Sequence, residues 1–422
     1  MYHNFRLHND FPLFPSNVEI TQTDLSPYSL DVLKMLGKIT KSGEYSSVKL
    51  CATLRDKIEY TAHWRYIRLG LELGLKLKKI HKILKFRQSD FCAGYIAKCM
   101  QARAKATSKF EKQLYKTVQN SLFGKFIEGI RGRVDCKIAK SRNTLLRQCG
   151  ESTYKSIRLV NQNVALTFHR KDEICLDKFP ATGAAILDLA RWFMYSSYYK
   201  HMLPVFGPTT RIILSDTDSI GVFFKSVLSK REIMTKLKDL MDFSNYPEDD
   251  PLFSPDRRNL TGYFKDETGN ICEYSVIISL APKLYRISTQ PIHHSAGSNE
   301  GGIVKCRGIP SRVSQTFSEE DFRKCLFENQ QIHKDYNEIR SNNMVLTTHQ
   351  VNRLALTNVE NKRFWLCAIH SLAYGSALIK TIKNGECLFC KEDLEYEKAR
   401  QEKKDAMSEN ESLAKKPKIM LN

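Results

Sequence analysis

RIILSDTDSIGVFF, residues 211–224, sets an apolar run from Ile212 to Leu214 and a second from Ile220 to Phe224 on either side of a polar turn that holds two aspartates. Two apolar runs flanking a short polar break predict a β-hairpin. Asp216 and Asp218 then stand two residues apart at the mouth of a rigid element. Their carboxylates, with the adjacent backbone, suit hard divalent ions bound through oxygen, and Mg²⁺ is the natural candidate. Aspartate is common in turns for conformational reasons alone, so the weight of the pair rests on its surroundings.

Upstream, the string SKFE at 108–111 has the form of a capping box and predicts a helix start at Ser108, with a turn before it. Four-residue spacing puts Phe110, Leu114 and Val118 on one face and Lys112, Lys116 and Asn120 on another, with Phe123 extending the polar face. The helix before the turn carries Arg103. A helical hairpin aiming Arg103 and Lys116 into one groove suits a triphosphate, because guanidinium grips phosphate oxygens bidentately and ammonium supplies a compact charge. The same spacing also describes a solvated basic helix face.

KTVQNSLFGKF, residues 116–126, resembles motif B of family B DNA polymerases, usually K-x-x-x-N-S-x-Y-G. The resemblance implies that Lys116 contacts the triphosphate of an incoming nucleotide and that Asn120 and Phe123 lie beside the nascent base pair, with Arg103 as a second phosphate contact. Phe123 replaces the usual tyrosine, so stacking can persist while a phenolic contact is lost. SDTDS at 215–219 is similar to motif C, which makes Asp218 the main metal-binding aspartate and Asp216 its partner. APKLY at 281–285, after a strand-like run from Val276 to Leu280, resembles the K-x-Y motif. Lys283 and Tyr285 would then support the primer terminus without sequence readout. VKCRGIPSRV at 304–313 resembles a later K-x-K-G strand and adds Lys305 and Arg307 as DNA contacts.

LHNDFPLFP at 7–15 and KLKKIHKILKFRQSDF at 76–91 resemble segments between motifs A and B in the protein-primed branch of linear plasmids, viruses and self-synthesising transposons. The family implies an α+β fold: a partial palm upstream of the fingers (1–94), helical fingers (95–125), palm with motif C and K-x-Y (126–310), a thumb-like region (311–390) and a charged tail (391–422). It implies DNA template and primer, deoxynucleoside triphosphates and a terminal priming protein as partners, and two-metal nucleotidyl transfer as the reaction. Motif A, D-x-x-S-L-Y-P, has no convincing copy. The nearest string, DLSPYS at 24–29, has the wrong order and lies on the wrong side of LHNDFPLFP. Asp24 is expected in a structural loop, with Ser29 capping the helix SLDVLKML. The acidic signatures of a 3′–5′ exonuclease are missing too. The expectation is an incomplete polymerase core lacking one metal-binding carboxylate; the alternative is a non-catalytic nucleic-acid-binding remnant.

Composition agrees with a polyanionic partner. Lysine and arginine number 66 against 46 acidic residues, a formal charge of +20, and such an excess favours binding through release of counterions from phosphates. Residues 49–86 read as strand, helix, strand: KLCATL, YIRLGLELGLKL and KIHKILKF. Twelve scattered cysteines predict reduced thiols in an intracellular protein rather than a disulfide framework. Cys387 and Cys390 form one C-x-x-C that would need further ligands, His370 among them, to hold a metal. No apolar run is long enough to span a membrane. KKPK at 415–418 reads as a nuclear address or a solvated end.

Overall fold

The computed structural model describes residues 8, 11–39, 45–225, 228–258, 260–291, 301–342, 345–382, 387 and 389–398. KKPK, most of the charged tail and part of LHNDFPLFP lie outside them. β1 (Ser16–Thr21) is followed by a 3-10 turn at Gln22–Asp24 and α1 (Pro27–Met35), and pairs antiparallel with β2 (Ser46–Cys51). The cap of α1 is Ser26 rather than the expected Ser29: the Ser26 Oγ accepts the Ser29 N–H at 3.0 Å. Proline explains the shift, because Pro27 at the first helical position has a pre-set φ and no N–H to leave unpaired.

α2 (Trp64–Glu72) buries Tyr66 and Leu69. It stops where Gly74 takes φ 92°, so that the Leu75 N–H reaches the Gly70 carbonyl at 3.0 Å and the Gly74 N–H that of Leu71 at 3.0 Å. This Schellman ending requires a residue tolerant of the left-handed region. The strand expected at 79–86 does not form. Residues 77–90 are neither helix nor strand, and Ile80, Ile83 and Leu84 are exposed. Alternation makes a strand only where a neighbouring edge takes up its backbone groups, and none of the described strands does so.

α3 (Ala93–Lys105) and α4 (Lys109–Phe126) form a helical hairpin, and α4 starts where the sequence predicts. The Ser108 Oγ accepts the Glu111 N–H at 3.1 Å while Glu111 accepts the Ser108 N–H at 3.4 Å. α4 has no fully buried residue and α3 only Cys99, so these helices lean on caps and local pairs more than on a core. After them β3 (Val134–Ala139), β4 (Tyr154–Asn161) and β5 (Val164–Arg170) form a separate antiparallel sheet of order β3-β5-β4, with α5 (Arg142–Cys149) packed against it.

α6 (Pro180–Ser196) runs through a π-helical turn, Ser197–Met202, into α7 (Leu203–Phe206). Three phenols on this stretch hold the chain on both sides. Tyr195 Oη donates to the Pro12 carbonyl at 2.8 Å, Tyr199 Oη to that of Phe11 at 2.6 Å, and Tyr198 Oη to that of Thr210 at 3.0 Å. These rings join Leu13, Phe14, Tyr66 and Leu69 in a core completed by Leu237, Met241, Phe243 and Tyr246. β6 (Arg211–Asp216) and β7 (Ser219–Phe223) follow as the predicted hairpin, then α8 (Lys230–Lys236).

β8 (Cys272–Ala281), β9 (Leu284–Pro291) and β10 (Gly301–Cys306) make an antiparallel sheet of order β10-β9-β8, packed against α9 (Ser311–Ser314) and α10 (Glu319–Phe327). Ile278, Leu280, Phe317 and Phe322 centre this second core. A long hairpin follows, β11 (Ile332–Asn342) and β12 (Val345–Leu356), with a short one, β13 (Phe364–Trp365) and β14 (Ser371–Leu372); residues 389–398 are helical. The architecture mixes α and β elements, as expected.

Candidate functional site

The β6–β7 turn consists of Thr217 and Asp218, since Asp216 pairs with Ser219. It is closed from within: the Asp218 N–H donates to the Asp216 carbonyl at 2.6 Å, the Ser219 hydroxyl to the same carbonyl at 3.2 Å, and the Thr217 hydroxyl to Asp216 Oδ1 at 3.2 Å. Thr217 has φ 57°. A β-branched residue there is a steric outlier costing about 1–3 kcal/mol, of the kind that gathers at functional sites.

A second strained turn faces it. Pro282 and Lys283 join β8 to β9, and Lys283 has φ 61°. Proline pre-sets the first turn position, and the left-handed second position, usually glycine or asparagine, is here a lysine. Its ammonium lies 3.4 Å from Asp216 Oδ1. Tyr285 follows on β9; burial raises its hydroxyl pKa, and the carboxylates of Asp216 and Glu267 add to the rise. Lys305 on β10 is the cross-strand partner of Tyr285, and the Arg307 N–H donates to the Lys283 carbonyl at 3.0 Å. Two turns and one sheet edge thus bring Asp216, Lys283, Tyr285, Lys305 and Arg307 into one neighbourhood, four of them cationic or phenolic. Asp218 is exposed and makes no side-chain hydrogen bond or ion pair among the described residues.

Arg103, Lys116 and Asn120 are exposed on the helical hairpin, and none makes a side-chain hydrogen bond or ion pair among the described residues. Phe123 is half-buried where α4 crosses α6. Gly183 permits that crossing: a Cβ there would lie 2.2 Å from Ile127 Cγ2 and 3.7 Å from Phe123 Cε2. α4 therefore sits on α6, and α6 leads through the tyrosine turn to the root of β6. No described hydrogen bond or ion pair joins the helical-hairpin residues to Asp216 or Asp218.

Asp24 is occupied elsewhere. Its carboxylate accepts the Thr21 N–H and hydroxyl, each at 3.0 Å, and pairs with Arg55. Burial alone would raise its pKa, but the Thr21 amide and the Arg55 guanidinium bring it below the usual value. Its work is structural, as the sequence predicts. The oxygen donors at the β6–β7 turn are Asp216, Asp218 and the turn carbonyls, a hard set of the chemistry that suits Mg²⁺.

Elsewhere, ligand atoms of Cys367, His370, Cys387 and Cys390 lie within 4.8 Å of one another. Three of these residues were legible in the sequence. Cys367 was not, although its C-x-x-H spacing to His370 is the signal that completes the set.

No protein-family profile matches the chain, and no curated protein matches it. No helix among the described residues is long and apolar enough to cross a membrane. Among solved structures, the chain aligns with phi29 DNA polymerase complexed with primer–template DNA, at 16% sequence identity and a TM-score of 0.37. That alignment covers 62% of this chain and 38% of that one, so the chain spans well under half the length of that polymerase.

Proposed function

We propose that this chain is the C-terminal part of the polymerase core of a protein-primed family B DNA polymerase, binding primer–template DNA and deoxynucleoside triphosphates. The observation that carries this reading is the approach of Lys283 to Asp216 across two strained turns. It joins two sequence motifs from distant parts of the chain, in the order the family has them, on a protein of formal charge +20.

In this reading Asp216 and Asp218 hold the divalent ions. Bound there, Mg²⁺ would lower the barrier to attack of a primer 3′-hydroxyl on the α-phosphorus and offset charge on the leaving pyrophosphate. Arg103 and Lys116 grip the triphosphate, one bidentately and one as a point charge. Asn120 and Phe123 line the nascent base pair. Lys283, Lys305 and Arg307 meet primer-strand phosphates, while Tyr285 packs against a sugar or base. Lys283 has a double role, because it neutralises Asp216 until phosphate and metal ions compete for both groups. A terminal protein would supply the priming hydroxyl.

One observation favours a second reading, a DNA-binding remnant without chemistry: Asp24, in the string nearest to motif A, is tied to Thr21 and Arg55. Primer extension by the purified chain with Mg²⁺ or Mn²⁺, beside Asp218→Ala, separates the two. Extension that falls to background in Asp218→Ala supports an active core that obtains its further carboxylate from another source. DNA binding without extension in either protein supports the remnant. Failure to bind primer–template at all would sink both.

A further inference from the structure

We infer that Cys367, His370, Cys387 and Cys390 form a closed, tetrahedral zinc site that fastens the helix at 389–398 to the base of the Asp216 hairpin. The distances fit such an ion. With Zn–S near 2.3 Å and Zn–N near 2.0 Å, tetrahedral geometry requires ligand atoms about 3.8 Å apart for two sulfurs and about 3.5 Å for sulfur and nitrogen. The Sγ atoms of Cys367 and Cys390 are 3.7 Å apart, and His370 Nδ1 lies 3.3 Å from the first and 3.5 Å from the second. Cys387 supplies the fourth atom, within 4.8 Å of the others. The chain pattern, C-x-x-H then C-x-x-C, is that of two ligand pairs carried on separate turns. Here the first pair lies in the connection around β13 and β14, and Cys390 stands at the start of the final helix.

The outer contacts point the same way. His370 turns Nδ1 to the sulfurs and donates its other ring N–H, at Nε2, to Asp393 Oδ2 at 2.7 Å. A carboxylate on the far nitrogen is how metal-bound histidines are held in one tautomer and orientation. Four protein ligands leave no open position, so the site is structural rather than catalytic.

Its place in the fold gives it a consequence. Asp393 also lies 3.5 Å from an Arg211 guanidinium nitrogen and 3.4 Å from Lys225 Nζ, which flank β6 and β7 at their base. The Lys225 ammonium sits 4.6 Å from the Tyr396 ring centroid and the Arg211 guanidinium 5.6 Å from that of Phe389. The cluster therefore sets a helix whose carboxylate and rings grip the first residue of β6 and the segment just past β7, at the open end of the hairpin whose tip holds Asp216 and Asp218.

The test uses the full chain, purified under reducing conditions without chelator. Elemental analysis should find one zinc per chain. Replacement by Co²⁺ should give the intense d–d absorption of a tetrahedral thiolate site. Cys390→Ser should lose the metal. Asp393→Asn, which keeps all four ligands and the helix, should lower Zn²⁺ affinity about tenfold to a hundredfold in competition with a chromogenic chelator. Removing the metal should open the helix at 389–398 to protease. A folded chain that takes up neither Zn²⁺ nor Co²⁺ overturns the proposal, as does a Cys367–Cys390 disulfide found by mass spectrometry in freshly purified protein. Unchanged affinity in Asp393→Asn removes the assigned role of the carboxylate.

Discussion

Lys116 and Asp266 sit at opposite extremes of solvation, and each makes a sharp prediction. Lys116 is exposed and has no side-chain partner among the described residues. Lys116→Ala should therefore leave folding unchanged while removing one charge-assisted phosphate contact, about 1.5–3 kcal/mol of nucleotide affinity, which titration with a non-hydrolysable triphosphate would read. Asp266 is buried, pairs with Lys230 at 2.8 Å and accepts the Thr268 N–H at 3.0 Å. Burial pushes its pKa up, but the Lys230 ammonium and the Thr268 donors outweigh that and hold it below the ordinary value of 3.8. A carboxylate with a lowered folded pKa contributes stability that is full above its unfolded pKa and is lost as pH falls through the folded one. Thermal stability should thus decline below about pH 4, and less steeply in Asp266→Asn; Asp266→Ala, which leaves the half-buried Lys230 ammonium only the Thr268 hydroxyl and the Cys272 carbonyl as partners, should cost about 1–3 kcal/mol in denaturant unfolding at neutral pH. The strings that resemble the motifs can be read without a structure because they rest on residue types and order alone. The Lys283–Asp216 approach was not, since it depends on lysine accepting a left-handed turn position that sequence rules reserve for glycine or asparagine.

The helical hairpin is held to the rest of the protein by contacts such as the one at Gly183, where α4 meets α6 without room for a methyl group. Gly183→Ala drives a Cβ into the branched Ile127, whose Cγ2 cannot swing away freely. The overpacking cost of about 1–3 kcal/mol meets or exceeds the roughly 1 kcal/mol that alanine gains in helix propensity. The expected result is a lowered melting temperature and faster amide exchange along residues 109–126, with nucleotide binding weakened more than DNA binding. The start of α4 at Ser108 was readable because a capping box is a local signal that needs no partner. The strand at 79–86 was misread because alternation is only half of a strand, and the Ser26 cap was missed because the weight given to Ser29 ignored Pro27. The independent sheet of residues 134–170 has ordinary strand patterning that carries no mark of where one sheet ends and another begins.

For the whole molecule, an excess of 20 positive charges should make the proposed DNA binding a salt-dependent equilibrium. The logarithm of the binding constant should fall linearly with the logarithm of salt concentration, by about 0.9 per phosphate neutralised on duplex. Substituting Lys283, Lys305 and Arg307 together should flatten that slope by about two to three; an unchanged slope would mean that the phosphates are met elsewhere. The general basic character was plain from composition, whereas the grouping of Lys283, Lys305 and Arg307 emerged only when β9, β10 and two turns met. The tyrosine turn adds a mechanical property to this body. Since Tyr195 and Tyr199 hold the carbonyls of Pro12 and Phe11 while Tyr198 holds that of Thr210, tension applied at residue 11 passes through one turn of helix into the strand that ends at Asp216. A load borne by residues 11 and 12 is thus shared, through three hydrogen bonds, with the residue that immediately precedes β6, although nearly half the chain separates them.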